Sequence, residues 1–181
     1  MGQVHISRGK KILPKKPPKL KGCIPCLASS KNKCCRQLTA AKTFRSDQTQ
    51  EEFEIQHLLN CRSTHCLYLG YCLKCPRHQY IGKSEPAAHL RFNTHRYDVD
   101  KASDLAFDRH FDKPGHDFDH DARFILIEQM KNHQNLTKEE NRKIMEHRED
   151  YWIQKLKTLA PYGLNDKLNS ATTSQMQAIC N

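Results

Sequence analysis

The stretch from residue 66 to residue 82 limits the fold more than any other. Cys66 to Leu73 reads CLYLGYCL, dense in β-forming residues, and after Lys74-Cys75-Pro76-Arg77-His78 a second short run, Gln79 to Ile81, ends at Gly82. Two such runs joined by a short turn-forming segment predict an antiparallel hairpin. Tyr68 and Tyr80 then stand on neighbouring strands. Tyr68 and Tyr71 are three apart and face opposite sides of theirs.

Beyond the hairpin the chain alternates helix and strand. Pro86 suits the first turn of a helix reaching about Tyr97, in which Arg91 and His95 are four apart and share a face. Arg123-Phe124-Ile125-Leu126-Ile127 is a short apolar run expected to be a third, buried strand. Thr137 and Glu140 form a capping box, and the segment runs without Gly or Pro to Leu159, just before Pro161. On that helix Met145, Glu149, Trp152 and Leu156 fall on one stripe, with Ile153 beside it. A carboxylate aimed inward is costly unless an ion pair, hydrogen bonds or a metal compensates it; position alone leaves these open. The expectation is an α+β domain: a three-stranded antiparallel sheet flanked by helices.

Of the 181 residues 37% are hydrophobic, enough for one modest core with polar segments around it. The formal charge of +10 is unevenly placed, because residues 1–46 hold twelve Lys and Arg and no acid. Residues 1–22, with Arg8, Lys10, Lys11, Lys15, Lys16, Lys19 and Lys21 among prolines, are expected to be a disordered basic linker that neutralises phosphates without reading sequence; a solubilising tail or a nuclear-import signal is the plainer alternative. Residues 23–62 form a cysteine-bearing segment, 63–168 the main domain and 169–181 a tail. No stretch approaches the ~18 apolar residues that a membrane span needs, and no apolar run comes after the basic N-terminus. The expectation is therefore an intracellular chain.

In a reducing compartment nine cysteines are metal-ligand candidates, above all as CxxC. Cys72 and Cys75 form one such pair. Cys23 and Cys26 form another, and Cys35 (or Cys34) and Cys61 are candidates to complete a second zinc cluster with it. Buried thiols acting as small hydrophobes are the alternative for all of them. Asp117, Asp119, Asp121 and Glu128 match the charged positions of a calcium-binding EF-hand loop. Ala122 stands where that loop needs glycine, so these acids are expected to be a solvated loop.

Taken in order, Tyr68, Tyr80-Ile81-Gly82, Arg91 with His95, Glu149 and Asn165 resemble the GIY-YIG nuclease family. The strings Leu69-Gly70-Tyr71-Cys72-Leu73-Lys74-Cys75, Arg91-Phe92-Asn93-Thr94-His95-Arg96, His110-Phe111 and Arg148-Glu149-Asp150-Tyr151-Trp152-Ile153 resemble, within it, the endonuclease domain of Penelope-like retroelements. The likeness covers residues 23–165. It departs from the family in that Cys66-Leu67 replaces Gly-Ile in the first motif, and the spacing from Tyr68 to Tyr80 is one residue longer than expected.

That resemblance implies a metal-dependent DNA endonuclease. Tyr68 would take a proton from the attacking water, with Arg91 and Lys83 favouring its phenolate. Arg91 would brace the phosphate, Tyr80 would complete the hydrogen-bond network, and His95 would orient water or share the base role. Glu149 would hold one Mg²⁺ or Mn²⁺, and Asn165 would line or support the site. It also implies a structural zinc on Cys72, Cys75, His110 and His116. DNA would be the substrate, element RNA or a reverse transcriptase domain further partners, and the nucleus the location. A zinc-containing DNA-binding module that no longer cuts and a structure-specific repair or junction nuclease are the competing functions.

Overall fold

The computed structural model describes residues 20–26, 34–131 and 135–169, and the side chain of Cys34 is not among the described groups. Most of the basic linker and nearly all of the C-terminal tail therefore lie outside the described residues. In chain order the elements are β1 (Gly22–Cys23), α1 (Cys34–Gln37), β2 (Thr43–Arg45), β3 (Glu52–Glu54), β4 (Leu58–Leu59), β5 (Cys66–Cys72), β6 (Gln79–Ser84), α2 (Ala88–Asp100), α3 (Ala106–Phe111), α4 (Phe118–Asp121), β7 (Ala122–Gln129) and α5 (Lys138–Leu156).

The main sheet has the order β6-β5-β7 and is antiparallel throughout. Its central strand, β5, is the CLYLGYC run, with every residue but Tyr71 buried. Tyr68 lies opposite Gly82 on β6, and the β7 register slips between Leu67 and Tyr68, which increases local twist. The expected hairpin and third strand are both present and longer than the apolar runs, since β6 extends to Ser84 and β7 to Gln129.

Pro86 lies two residues ahead of α2 and not in its first turn. The N-cap, Ala87, has no side-chain acceptor, so the first amides find partners across the chain: Ala88 N donates to Ser63 O and His89 N to Cys61 O, each at 2.9 Å. Helix α5 starts at the capping box of Thr137 and Glu140 and stops at Leu156, because Lys157 turns left-handed at φ 56°. Ser46 Oγ donates to the carbonyl of Leu156 at 2.8 Å, closing that end.

Residues 34–62 share the core of the main sheet. Phe44 and Phe53 of the β2–β3 hairpin meet Trp152 of α5 edge-on, at centroid separations of 5.0 and 5.3 Å. Thr39 N donates to Phe124 O at 2.8 Å along β7. Phe92 stacks on Phe124 at 4.0 Å and fixes α2 to the sheet. The acids expected in a solvated loop lie instead at the cap of α4, within it and on β7, with Asp121 buried, and they do not converge on one point. Asp117 caps α4, Asp119 pairs with Arg96, Asp121 with Lys74, and Glu128 with Arg148.

Candidate active site

One open cleft of about 470 Å³ lies between β6, α2 and α5, and Tyr80, Lys83, Arg91, Glu149, Asn165 and Asn169 are on its wall. Each side chain has a separate structural reason to be there. Tyr80 and Lys83 come from β6. Arg91 comes from α2, and Glu149 from the apolar stripe of α5, where Met145 and Ile153 are also buried.

Tyr68 lies behind this wall and has no exposed surface. Its ring crosses β6 over Gly82. A Cβ at Gly82 would fall 2.5 Å from Tyr68 Cζ and 2.7 Å from Tyr80 Cε1, so the glycine is there for clearance. The phenol meets His95 Nε2 at 2.7 Å and accepts from Arg91 Nε at 3.3 Å. His95 Nδ1 lies 2.7 Å from Asp108 Oδ1, and Tyr68, His95 and Asp108 are all 0% exposed. A carboxylate accepts only, so Nδ1 carries the imidazole proton; Nε2 then accepts from the Tyr68 hydroxyl. The result is a buried chain, Asp108–His95–Tyr68, ending beside Arg91.

The charge states differ from what the sequence suggested. Burial pushes the Tyr68 phenol well above its ordinary range, reinforced by Tyr80; Arg91 acts in the opposite direction and is outweighed. Tyr68 is therefore a phenol at neutral pH. Lys83 does not serve it, because its ammonium is 2.6 Å from Glu149 Oε2. Tyr80 is pushed up to about 12 by burial and then by Glu149. Burial, and next the Arg91 charge, hold His95 below its ordinary value against the pull of Asp108. His95 is thus a neutral proton acceptor.

Glu149 is 6% exposed and its carboxyl is raised by burial, which Lys83 and Asn169 oppose; Asn169 Nδ2 donates to it at 2.6 Å. A poorly hydrated carboxylate at a cleft wall suits a divalent ion that keeps several waters and takes one carboxylate, and such an ion would displace the Lys83 ammonium that pairs with it here. Asn165 has a different task. Its Oδ1 accepts from Ile81 N at 2.9 Å and from Thr158 Oγ1 at 2.7 Å, and its Nδ2 donates to Ile81 O at 2.8 Å. With these bonds made, Asn165 holds β6 in place from the wall of the cleft. Tyr71, the other tyrosine of β5, faces away and bonds Thr39 at 3.0 Å.

A second group forms at the hairpin turn. The ligand atoms of Cys72, Cys75, His110 and His116 all lie within 4.8 Å of one another. Cys75 Sγ is 3.1 Å from His116 Nε2. Both ring nitrogens of His110 and Nδ1 of His116 are buried without a hydrogen-bond partner, the deficit expected of imidazoles meant for a metal. Burial and the neighbouring His116, His78 and Lys113 lower His110 to about 4, which keeps it in the neutral form that ligation needs. Two sulphurs and two imidazole nitrogens are a donor set that zinc favours. In the N-terminal segment Cys26, Cys35 and Cys61 come together without Cys23. Cys23 Sγ instead accepts from Leu126 N at 3.4 Å, and burial raises its thiol to about 11.

Sequence reasoning missed Asp108 and Asp150. Asp108 could have been suspected from Phe107, His110 and Phe111, whose spacing marks a short helix packed on the site. Asp150 accepts from Asn169 N at 2.8 Å beside Glu149; its place next to the inward stripe was the only available signal.

No family model matches the chain, and no curated protein matches it. Among solved structures it is similar to the catalytic domain of the homing endonuclease I-TevI. The two are 17% identical with a TM-score of 0.43, over 56% of this chain and 97% of that one.

Proposed function

We propose that the chain is a metal-dependent DNA endonuclease of the GIY-YIG type, belonging to a Penelope-like retroelement or derived from one. The observation that carries this is the buried Asp108–His95–Tyr68 chain ending at Arg91, beside a cleft that also holds Glu149. Arg91 meets two non-bridging oxygens of a phosphodiester through its planar guanidinium, a task that lysine performs poorly. Drawn onto the phosphate, it uncovers the Tyr68 hydroxyl that its Nε now covers. Tyr68 then takes a proton from the attacking water as it gives its own to His95, and Asp108 holds the imidazole and stabilises the imidazolium. Tyr68 needs no free phenolate in this scheme, which suits its raised pKa.

Glu149 would hold one Mg²⁺ or Mn²⁺, which when bound supplies Lewis-acid stabilisation of the leaving oxygen. Lys83 and Asn169 orient that carboxylate in the free protein. Cys72, Cys75, His110 and His116 would hold a structural zinc that fixes the hairpin turn to α3. The excess of Lys and Arg in residues 1–46 suits a polyanion partner, and a nuclear location is part of the same proposal.

Two observations favour the second reading, a DNA-binding module without cutting activity: Glu149 is already paired with Lys83, and Tyr68 is sealed. Supercoiled plasmid incubated with the reduced, zinc-loaded chain separates the two. Nicked circles forming with Mg²⁺ or Mn²⁺ and not with chelator support the nuclease; retarded plasmid that stays supercoiled at every metal concentration supports the binding module.

A further inference from the structure

Three cysteines from three separate stretches meet below the N-terminus of α2. Cys26 comes after β1, Cys35 lies in α1 and Cys61 comes after β4, yet their sulphurs all lie within 4.8 Å of one another, and Cys35 Sγ and Cys61 Sγ are 3.7 Å apart. A disulfide requires about 2.05 Å between sulphurs. Thiolates on one tetrahedral zinc, each about 2.3 Å from the ion, stand ~3.8 Å apart. The observed separation belongs to the second geometry. Cys61 is completely buried, and sulphur is a weak hydrogen-bonding atom, so three thiols facing one another gain little from the contact unless a cation lies between them.

We propose that Cys26, Cys35 and Cys61 bind a structural zinc ion of their own, separate from the Cys72, Cys75, His110 and His116 group. Three thiols lose their protons to solvent as three sulphur–zinc bonds form, and a donor from outside the trio completes the tetrahedron. Cys23 has no part in it.

The placement gives the ion a use. β1 and β4 are two residues each, too short to hold the N-terminal segment by pairing alone. One ion on residues 26, 35 and 61 ties β1, α1 and the turn after β4 together. The carbonyl of Cys61 accepts from His89 N at 2.9 Å and lies 2.9 Å from His89 Nδ1. Fixing Cys61 therefore fixes the first turn of α2, the helix that carries Arg91 and His95. The ion positions that helix and touches no reacting atom.

The test is zinc content of the full chain, purified under reducing conditions without added metal, measured by mass spectrometry alongside the melting curve. Wild type is expected to carry two equivalents. Cys35→Ser and Cys26→Ser, both at half-buried positions, are each expected to carry one, and Cys72→Ser to lose the other. Amide exchange at His89 is expected to quicken in Cys35→Ser and Cys26→Ser and to stay unchanged in Cys72→Ser. If one of the N-terminal variants fails to fold, the other decides. A folded wild type with one equivalent or none, with that metal unaffected by Cys35→Ser and Cys26→Ser, overturns the proposal. So does a Cys35–Cys61 disulfide found by peptide mapping of the same reduced preparation. Neither outcome depends on whether the chain cuts DNA.

Discussion

Replacing Asp108 by asparagine tests the buried proton chain where it is most specific. The substitution keeps shape and volume, removes the carboxylate charge that stabilises an imidazolium, and changes the hydrogen-bonding demand on His95 Nδ1, which lies 2.7 Å from Asp108 Oδ1. A carboxylate forces the proton onto Nδ1. An amide presenting its NH₂ reverses this, so Nε2 carries the proton and donates to Tyr68, whose hydroxyl then has no acceptor 2.7 Å away. Relay of the water proton through Tyr68 to His95 stops. General base catalysis contributes roughly 10²–10⁴ in rate, so Asp108→Asn should lose that much of its nicking rate, equivalent to ~3–5 kcal/mol of barrier. Stability should fall less, by the ~1.5–3 kcal/mol of one charged hydrogen bond. The assay is single-turnover nicking of supercoiled plasmid, with the His95 tautomer read from its ring-nitrogen chemical shifts. Nicking within about threefold of wild type by a variant whose tautomer has reversed would refute the relay.

The same packing sets the response to three further perturbations. Gly82→Ala places a methyl group against two buried tyrosine rings; overpacking of this kind costs ~1–3 kcal/mol, so melting should drop by about 2–12 °C and nicking should fall with it, and an unchanged melting curve would contradict the clearance role. Asn165→Ala leaves the amide and carbonyl of fully buried Ile81 without side-chain partners, at ~1–3 kcal/mol each, and urea unfolding should show a large loss of stability. His95 is held below 6.5 in the folded chain. Between its folded pKa and about 6.5 the unfolded chain binds a proton that the folded one does not. Stability from this group is therefore complete above pH 6.5 and falls as pH drops through that window, and the acid limb of nicking lies below 6.5. Urea melts at several pH values on wild type and His95→Gln check it; an equal slope in the variant would exclude His95 as the source.

Much of this architecture was legible because local signals and tertiary packing agree. The CLYLGYC run, the turn after it and the capping box at Thr137 mark elements whose ends are set by nearby residues. Pro86 misled because the start of α2 is set at a distance, by the carbonyls of Cys61 and Ser63. Tyr68, Arg91, His95 and Glu149 stood out through the resemblance of their order to the GIY-YIG family, since spacing alone left Tyr71 and an ordinary ion pair at Glu149 open. Their charge states could not, since Tyr68 depends on how completely the sheet buries it, and Lys83 is drawn to Glu149 by a strand-to-helix contact. Asp108 was hidden among the acids of a weakly patterned region. The role of Asn165 as a clamp on β6 depends on Ile81, 84 residues earlier. Cysteine spacing suggested Cys23 as a ligand with Cys26, but the Cys23 sulphur is turned to β7, where it accepts from Leu126 N.

Whether this cleft cuts DNA with Glu149 as the metal ligand is decided by measuring binding and nicking together for wild type and Glu149→Gln, both checked for folding. Both are expected to bind duplex DNA with similar affinity, wild type to nick only with Mg²⁺ or Mn²⁺, and Glu149→Gln not to nick. A wild type that binds and never nicks, or a Glu149→Gln variant that nicks as fast as wild type, would contradict this reading.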